Sequence, residues 1–175
     1  PEAAADGADT LVLRTTRIPA DVDPATAVLA LELVVEIPAD IEVEVRCNNG
    51  NILVADRLAP WSLLTKRGDT LLRNCQGPAD VFSRRGKAMV LAHRGDLRVE
   101  VGAGDIQAEL GELGPGGVDL QIESGPARCT LPRDVSCEVD GETRIGRSIR
   151  PQKIWPEVEV VENEFSTAMR GTIGG

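Results

Sequence analysis

Between residues 43 and 108, small or branched side chains recur in pairs two residues apart, and each pair flanks a glycine. The glycines Gly50, Gly68, Gly86 and Gly104 are each 18 residues apart. Before them stand Val45/Cys47, Leu63/Thr65, Val81/Ser83 and Val99/Val101; after them stand Ile52/Val54, Thr70/Leu72, Ala88/Val90 and Ile106/Ala108. Two-residue spacing predicts a strand on each side of every glycine. The glycine itself permits the left-handed backbone of a sharp corner or bulge. Its neighbours Asn49, Arg67, Arg85, Asn51, Asp69, Lys87 and Asp105 are turn formers or charges. A fixed period of this size predicts stacked repeats. One such unit is too small to fold alone. Burial of a large apolar side chain is worth roughly 1.5–3 kcal/mol, so several coils make a core where one does not.

Residues 1–10 are expected to be a flexible acidic lead-in, followed by a strand over Leu11–Ile18 and a polar loop over Pro19–Thr26. Alternation of Leu29, Leu31, Leu33 and Val35 predicts a strand over Val28–Ile37, which Pro38-Ala39-Asp40 ends. Beyond Gly104, the glycine-rich 111–117 segment lengthens one coil. Leu120, Ile122, Gly125, Ala127 and Cys129 then resume the pattern after a 21-residue step. Gly141, Thr143 and Ile145 predict a weaker sixth coil, 146–156 a loop, Glu157–Phe165 a strand, and Ala168–Ile173 the opening of a further coil.

The expected fold is therefore all-β: a single-domain, β-helix-like β-solenoid over 11–175, with about six coils of 16–21 residues and flanking N- and C-terminal strands. Regular repeats span 43–108, looser coils 118–148 and terminal strands 157–173. The alternative is a β-sandwich of evenly spaced hairpins. Sandwiches rarely keep one interval over four units and lean on a large aromatic core. This chain is 42% hydrophobic, yet it has two Phe, two Trp and no Tyr.

At 175 residues the length suits one domain. A net charge of −9 argues against general nucleic-acid binding, and no run of 18 apolar residues predicts a transmembrane segment. The chain opens at Pro1 without methionine, signal peptide or anchor, so any targeting segment lies outside it. Its end, inside an unfinished coil, predicts continuation by further chain or by a partner. Against the acidic background, Lys66, Arg67, Arg84, Arg85 and Lys87 occupy equivalent corner positions of two successive coils, with His93 and Arg94 one side later. Stacked strands lie about 4.8 Å apart, so these charges form one patch. It is a candidate site for a phosphate, a uronate or an acidic lipid headgroup. The plainer reading is a solvated corner partly neutralised by Asp69.

Cys47, Cys75, Cys129 and Cys137 lack the C-x-x-C spacing of a zinc or redox site. Cys47 and Cys129 fall on inward positions as small apolar fillers, and Cys75 lies near a corner. Cys129 and Cys137, eight residues apart across Pro132, form a disulfide if neighbouring strands bring them together. Catalytic signals are thin. Glu42, Glu44 and Glu100 fall at different positions in their coils, and Lys87 separates Asp69 from Asp105, so no carboxylate pair stands out. His93 has no adjacent Ser or Cys, and Gly102-Ala103-Gly104 is too short for a nucleotide loop. Neither catalytic residues, metal nor cofactor are expected.

The stretch Ile37-Pro38-Ala39-Asp40-Ile41-Glu42-Val43-Glu44-Val45, followed by Asn49-Gly50-Asn51-Ile52, is echoed by Arg67-Gly68-Asp69-Thr70 and Ala103-Gly104-Asp105-Ile106. Over residues 28–173 this resembles the bacterial adhesin-type domain family labelled domain of unknown function 4097 (DUF4097). Gly86-Lys87 and Gly125-Pro126 depart from its small-Gly-Asp-Ile element. The resemblance implies a β-solenoid of cell-envelope or extracellular type, without established catalytic residues. The expected function is a non-catalytic, adhesin-like binding or structural module. Its partner would be an anionic glycan, an envelope component or a second copy. The alternatives are a self-assembling scaffold joined by end-to-end coil stacking and a carbohydrate-active enzyme.

Overall fold

The computed structural model describes residues 2–5, 11–14, 33–144, 158–162 and 166–173. The chain divides into two compact units, Pro1–Glu36 and Ile37–Gly175. In the first, β1 (Glu2–Ala5) pairs antiparallel with β2 (Leu11–Arg14). Strand β1 falls within the expected lead-in, and β2 within the expected first strand.

The second unit holds β3 (Val43–Asn49), β4 (Ile52–Ala55), β5 (Trp61–Arg67), β6 (Thr70–Arg73), β7 (Ala79–Ser124) and β8 (Ala127–Thr130). All of their pairings are parallel. Val43 lies beside Trp61 and Trp61 beside Ala79; Ile52 lies beside Thr70 and Thr70 beside Ala88. Each step is 18 residues, the glycine period. β7 is one continuous ladder that winds past Gly86 and Gly104, and it meets β8 with Ile106 beside Ala127, the 21-residue step. The result is the expected β-solenoid, of about five turns, without a helix among the described residues.

Each coil turns at three corners. At the first, the glycines stand one above another with φ of +132° at Gly68 and +138° at Gly86. A Cβ on Gly68 would land on the carbonyl oxygen of Gly50 and 2.6 Å from its carbon, and one on Gly86 would meet Gly68 in the same way. No other residue fits so near a neighbouring backbone. At the second corner Asp56, Asn74 and Ala92 adopt φ of 56°, 53° and 54°, and Asn74 Nδ2 donates to Asp56 Oδ1 at 2.7 Å. Asn and Asp are the side chains that best tolerate this region. The third corner carries Gly77 and Gly95. Between the second and third corners a short side is joined coil to coil, with Gln76 N–H donating to Arg57 O (2.7 Å) and Arg94 N–H to Cys75 O (2.9 Å).

Side-chain alternation then sorts the core. Leu63, Thr65, Thr70, Leu72, Val81, Ser83, Ala88, Val90, Val99, Val101, Ile106 and Ala108 are all buried, as the inward register predicts. The end coils differ because, among the described residues, each pairs with a neighbouring coil on one side only. Val45, Cys47 and Val54 are half-buried, and Ala127 and Cys129 are exposed. Cys129 is therefore not the interior filler that its position predicts. The longer coil is accommodated by glycines: Gly116 N–H donates to Asp96 Oδ1 at 2.7 Å, and a Cβ on Gly114 would lie 2.6 Å from Asp96 N.

Three stretches depart from expectation. The supposed sixth coil is β9 (Cys137–Arg144), which pairs antiparallel with β11 (Ser166–Ile173), itself antiparallel to β10 (Val158–Glu162). Here half-buried Cys137 and Val139 alternate with exposed Glu138 and Asp140, the pattern of a strand with one covered face. Ala168–Ile173 accordingly returns along β9 instead of opening a new coil. Residues 33–38 form no strand, and Leu33, Val34 and Val35 are exposed. The carbonyls of Ile37 and Pro38 are taken by the Arg57 guanidinium, at 3.0 and 2.6 Å, in place of a strand partner. Residues 15–32, 145–157 and 163–165, which include much of the expected first strand, the opening 28–32 of the expected second, Ile145 and the 146–156 loop, lie outside the described residues.

The inward register makes a contrast on one face of the coil. Val90→Asp buries an unpaired charge and is expected to abolish cooperative urea unfolding, whereas Leu53→Asp, on an outward side chain 68% exposed, should shift stability by no more than about 0.5 kcal/mol. Similar behaviour of the two variants would mean the register is wrong.

Candidate functional site

The side formed by β5 and residues 79–85 presents its outward positions as a grid. Ser62 lies beside Asp80 and Leu64 beside Phe82 in the parallel register. The next outward pair is Lys66 and Arg84, and Arg67 and Arg85 follow at the corner. Gly68 N–H donates to Arg85 O at 3.0 Å, carrying the same register through the turn. The basic residues of the two coils therefore stand on adjacent rungs, about 4.8 Å apart. Lys66, Arg67, Arg84 and Arg85 are exposed and Lys87 is half-buried.

None of these five side chains makes a hydrogen bond or ion pair among the described residues. Asp69, expected to neutralise them in part, has an oxygen committed elsewhere. Its Oδ1 accepts from Lys87 N–H at 2.8 Å, and its own N–H donates to Asn51 Oδ1 at 2.9 Å. This side-chain ladder pins the corner from coil to coil and stops at Lys87, which has no acceptor to pass on. The patch is two coils wide. Asn48 and Asn49 precede it, and Gly102 and Ala103 follow at the equivalent positions.

His93 does not join this surface. It is fully buried, with its ring edge-on to Trp61 at a centroid distance of 6.2 Å. Its Nε2 lies 3.1 Å from Asp96 O. A carbonyl only accepts, so Nε2 carries the hydrogen and Nδ1 is left without a partner. Desolvation holds the imidazole below its ordinary range, opposed by the carbonyls of Asp96 and Cys75 and by the Asp96 charge.

His93 instead completes an interior column with Arg57 and Cys75, again at 18-residue steps and all buried. Arg57 donates to Ile37 O, Pro38 O and Ile41 O (3.0, 2.6 and 2.5 Å), so the guanidinium ties segment 37–41 to the first coil. The column brings Cys75 and His93 close, although they are far apart in sequence. Their electrostatics run against nucleophile activation. Burial raises the Cys75 thiol and lowers the His93 imidazole, the reverse of a thiolate–imidazolium pair, and Cys75 Sγ approaches Arg73 O at 3.4 Å. The 18-residue period brings 57, 75 and 93 into line. The hydropathy pattern hides the column, because Arg and His are unusual inward residues.

All four cysteines are free thiols, with Cys129 exposed and Cys137 half-buried. No group of three or more His, Cys, Asp or Glu among the described residues is placed to hold a metal ion, and no helix among them is long and apolar enough to cross a membrane. Parallel coils at a constant register, with corners made by left-handed residues, define the chain as a β-solenoid repeat protein. No protein-family model, curated protein or solved structure matches it.

The buried imidazole gives stability a pH dependence of known sign. Folded His93 binds a proton less readily than the unfolded chain, so its contribution is complete above about pH 6.5 and is lost as pH falls toward the depressed folded value, by at most about 1.4 kcal/mol per pH unit. Urea unfolding at pH 7.5 and 5.5 should show a smaller difference in His93→Gln than in the parent. An equal difference would place the titrating group elsewhere.

Proposed function

We propose that this chain is a non-catalytic binding module that presents a rigid β-solenoid surface, with the basic corner at Lys66, Arg67, Arg84, Arg85 and Lys87 as its contact for an anionic ligand. The observation that carries this reading is a set of basic side chains without partners among the described residues, concentrated on two adjacent rungs of a chain whose net charge is −9. Hydrogen bonds to charged groups are each worth about 1.5–3 kcal/mol. Here the backbone beneath them is fixed by the ladder through Asn51, Asp69 and Lys87, so binding has to order the side chains but not the corner that carries them. Planar guanidinium groups suit carboxylate, sulfate or phosphate oxygens. The resemblance of the coil motifs to adhesin-type domains supports a bacterial envelope setting, with an anionic glycan or envelope component as the partner.

The test is a triple charge reversal, Arg67→Glu with Arg84→Glu and Arg85→Glu, assayed against immobilised polygalacturonate and against heparin. The parent should bind at least one, with affinity falling as salt is added, and the variant should lose about tenfold or more while its urea midpoint stays close to the parent's. Equal binding by both proteins, or binding to neither polyanion, would reject the reading.

A further inference from the structure

We propose that the outward grid on the two basic coils is a binding site for an acidic pyranose, with the sugar ring lying on Phe82 and Leu64 and its carboxylate meeting Arg84 and Lys66. This rests on the anionic-ligand reading above and names the ligand class. The independent observation is apolar. Phe82 is 39% exposed and Leu64 37% exposed, in a chain with two Phe, two Trp and no Tyr. At the equivalent position the other coils carry Arg46, Glu100 and Gln121, the polar residues that a solvated outward face calls for. Only the two coils with a Lys or Arg at the next outward position place an apolar side chain here. Apolar and basic residues therefore coincide on the same two rungs.

The grid has three rows. Ser62 and Asp80 form the first, Leu64 and Phe82 the second, and Lys66 and Arg84 the third. Successive rows on one face are about 6.6 Å apart along the strand and neighbours within a row about 4.8 Å apart. That order matches the polarity of a uronic acid. Its hydroxyls suit Ser62 and Asp80, its C–H face suits an exposed aromatic ring, and its carboxylate suits a guanidinium and an ammonium. A bare phosphate uses only the third row. An anionic bilayer needs a broad basic or apolar face, and this patch is two coils wide on a chain whose net charge is −9.

Calorimetric titration with the methyl glycosides of galacturonate, glucuronate and mannuronate, their neutral parent glycosides and inorganic phosphate tests the assignment. At least one uronate is expected to bind, with its neutral counterpart about tenfold weaker. Phe82→Ser should weaken it roughly fivefold, and Leu64→Ser should weaken it to a smaller degree. Circular dichroism and urea midpoints check that both outward substitutions leave the fold intact. Binding that Phe82→Ser leaves unchanged but Arg84→Glu abolishes would overturn the sugar assignment while leaving an anion site in place. Phosphate binding as tight as the best uronate would overturn it in the same way. Failure of all three uronates to bind the parent overturns it outright, whatever polygalacturonate and heparin show.

Discussion

The closest constraint in this protein is the approach of one coil to the next at the glycine corner. The backbones there are too near for a Cβ: one placed on Gly68, Gly86, Gly104 or Gly125 would fall on the carbonyl of the glycine one coil before. That contact sets the local rise of the solenoid, and with it the register. Once Gly86 sits over Gly68, Thr65 must face Ser83 and Thr70 must face Ala88, as their pairings record. A shift of one residue would turn every inward side chain outward. The three-residue excess of the later coil is absorbed by the 111–117 loop around Asp96, and Gly125 again lies over Gly104.

The same constraint places the surface chemistry. A parallel stack repeats each position on the next rung, so like residues accumulate in columns. Such a column of basic residues is costly in an isolated strand pair. Here it persists over two rungs because the side chains are exposed to solvent, while Asn51 and Asp69 secure the turn beneath them through backbone N–H groups. Inside, the column of Arg57, Cys75 and His93 is held differently. Main-chain carbonyls satisfy much of the guanidinium and one imidazole nitrogen. Arg57 Nε and His93 Nδ1 remain without partners, so the interior carries some unrelieved polarity.

Much of this architecture is legible in the chain because its information is periodic. The pairs around each glycine predict strands, corners and inward residues from Leu63 to Ala108, and stacking Lys66 on Arg84 needs no more than the 18-residue step. Legibility fails where periodicity ends or where burial depends on a distant partner. The segment from Cys137 to Arg144 reads as another coil until its antiparallel partner, Ser166–Ile173, is known. Cys129 has the inward position of a filler, but among the described residues no following coil covers it. Residues 33–37 alternate like a strand, yet Arg57, some twenty positions later, takes carbonyls of Ile37 and Pro38. His93 reads as following the basic corner one side later, and its burial follows from the short third side of the coil, which hydropathy does not mark. Phe82 is one of two phenylalanines in the chain. Its meaning depends on the register that sets it beside Leu64 and next to Arg84.

The stacking constraint is tested most directly by two alanine substitutions followed by urea unfolding. Gly86→Ala puts a Cβ on the backbone of Gly68 at φ +138°, whereas Gly111→Ala makes only ordinary contacts, with the Arg94 side chain at 3.4 Å and the His93 carbonyl oxygen at 3.6 Å. Gly86→Ala is expected to cost about 3 kcal/mol or to prevent folding, and Gly111→Ala to stay within about 0.5 kcal/mol of the parent. Equal stability of the two variants would contradict the close approach of the coils, and with it the register on which the core and the outward grid both rest.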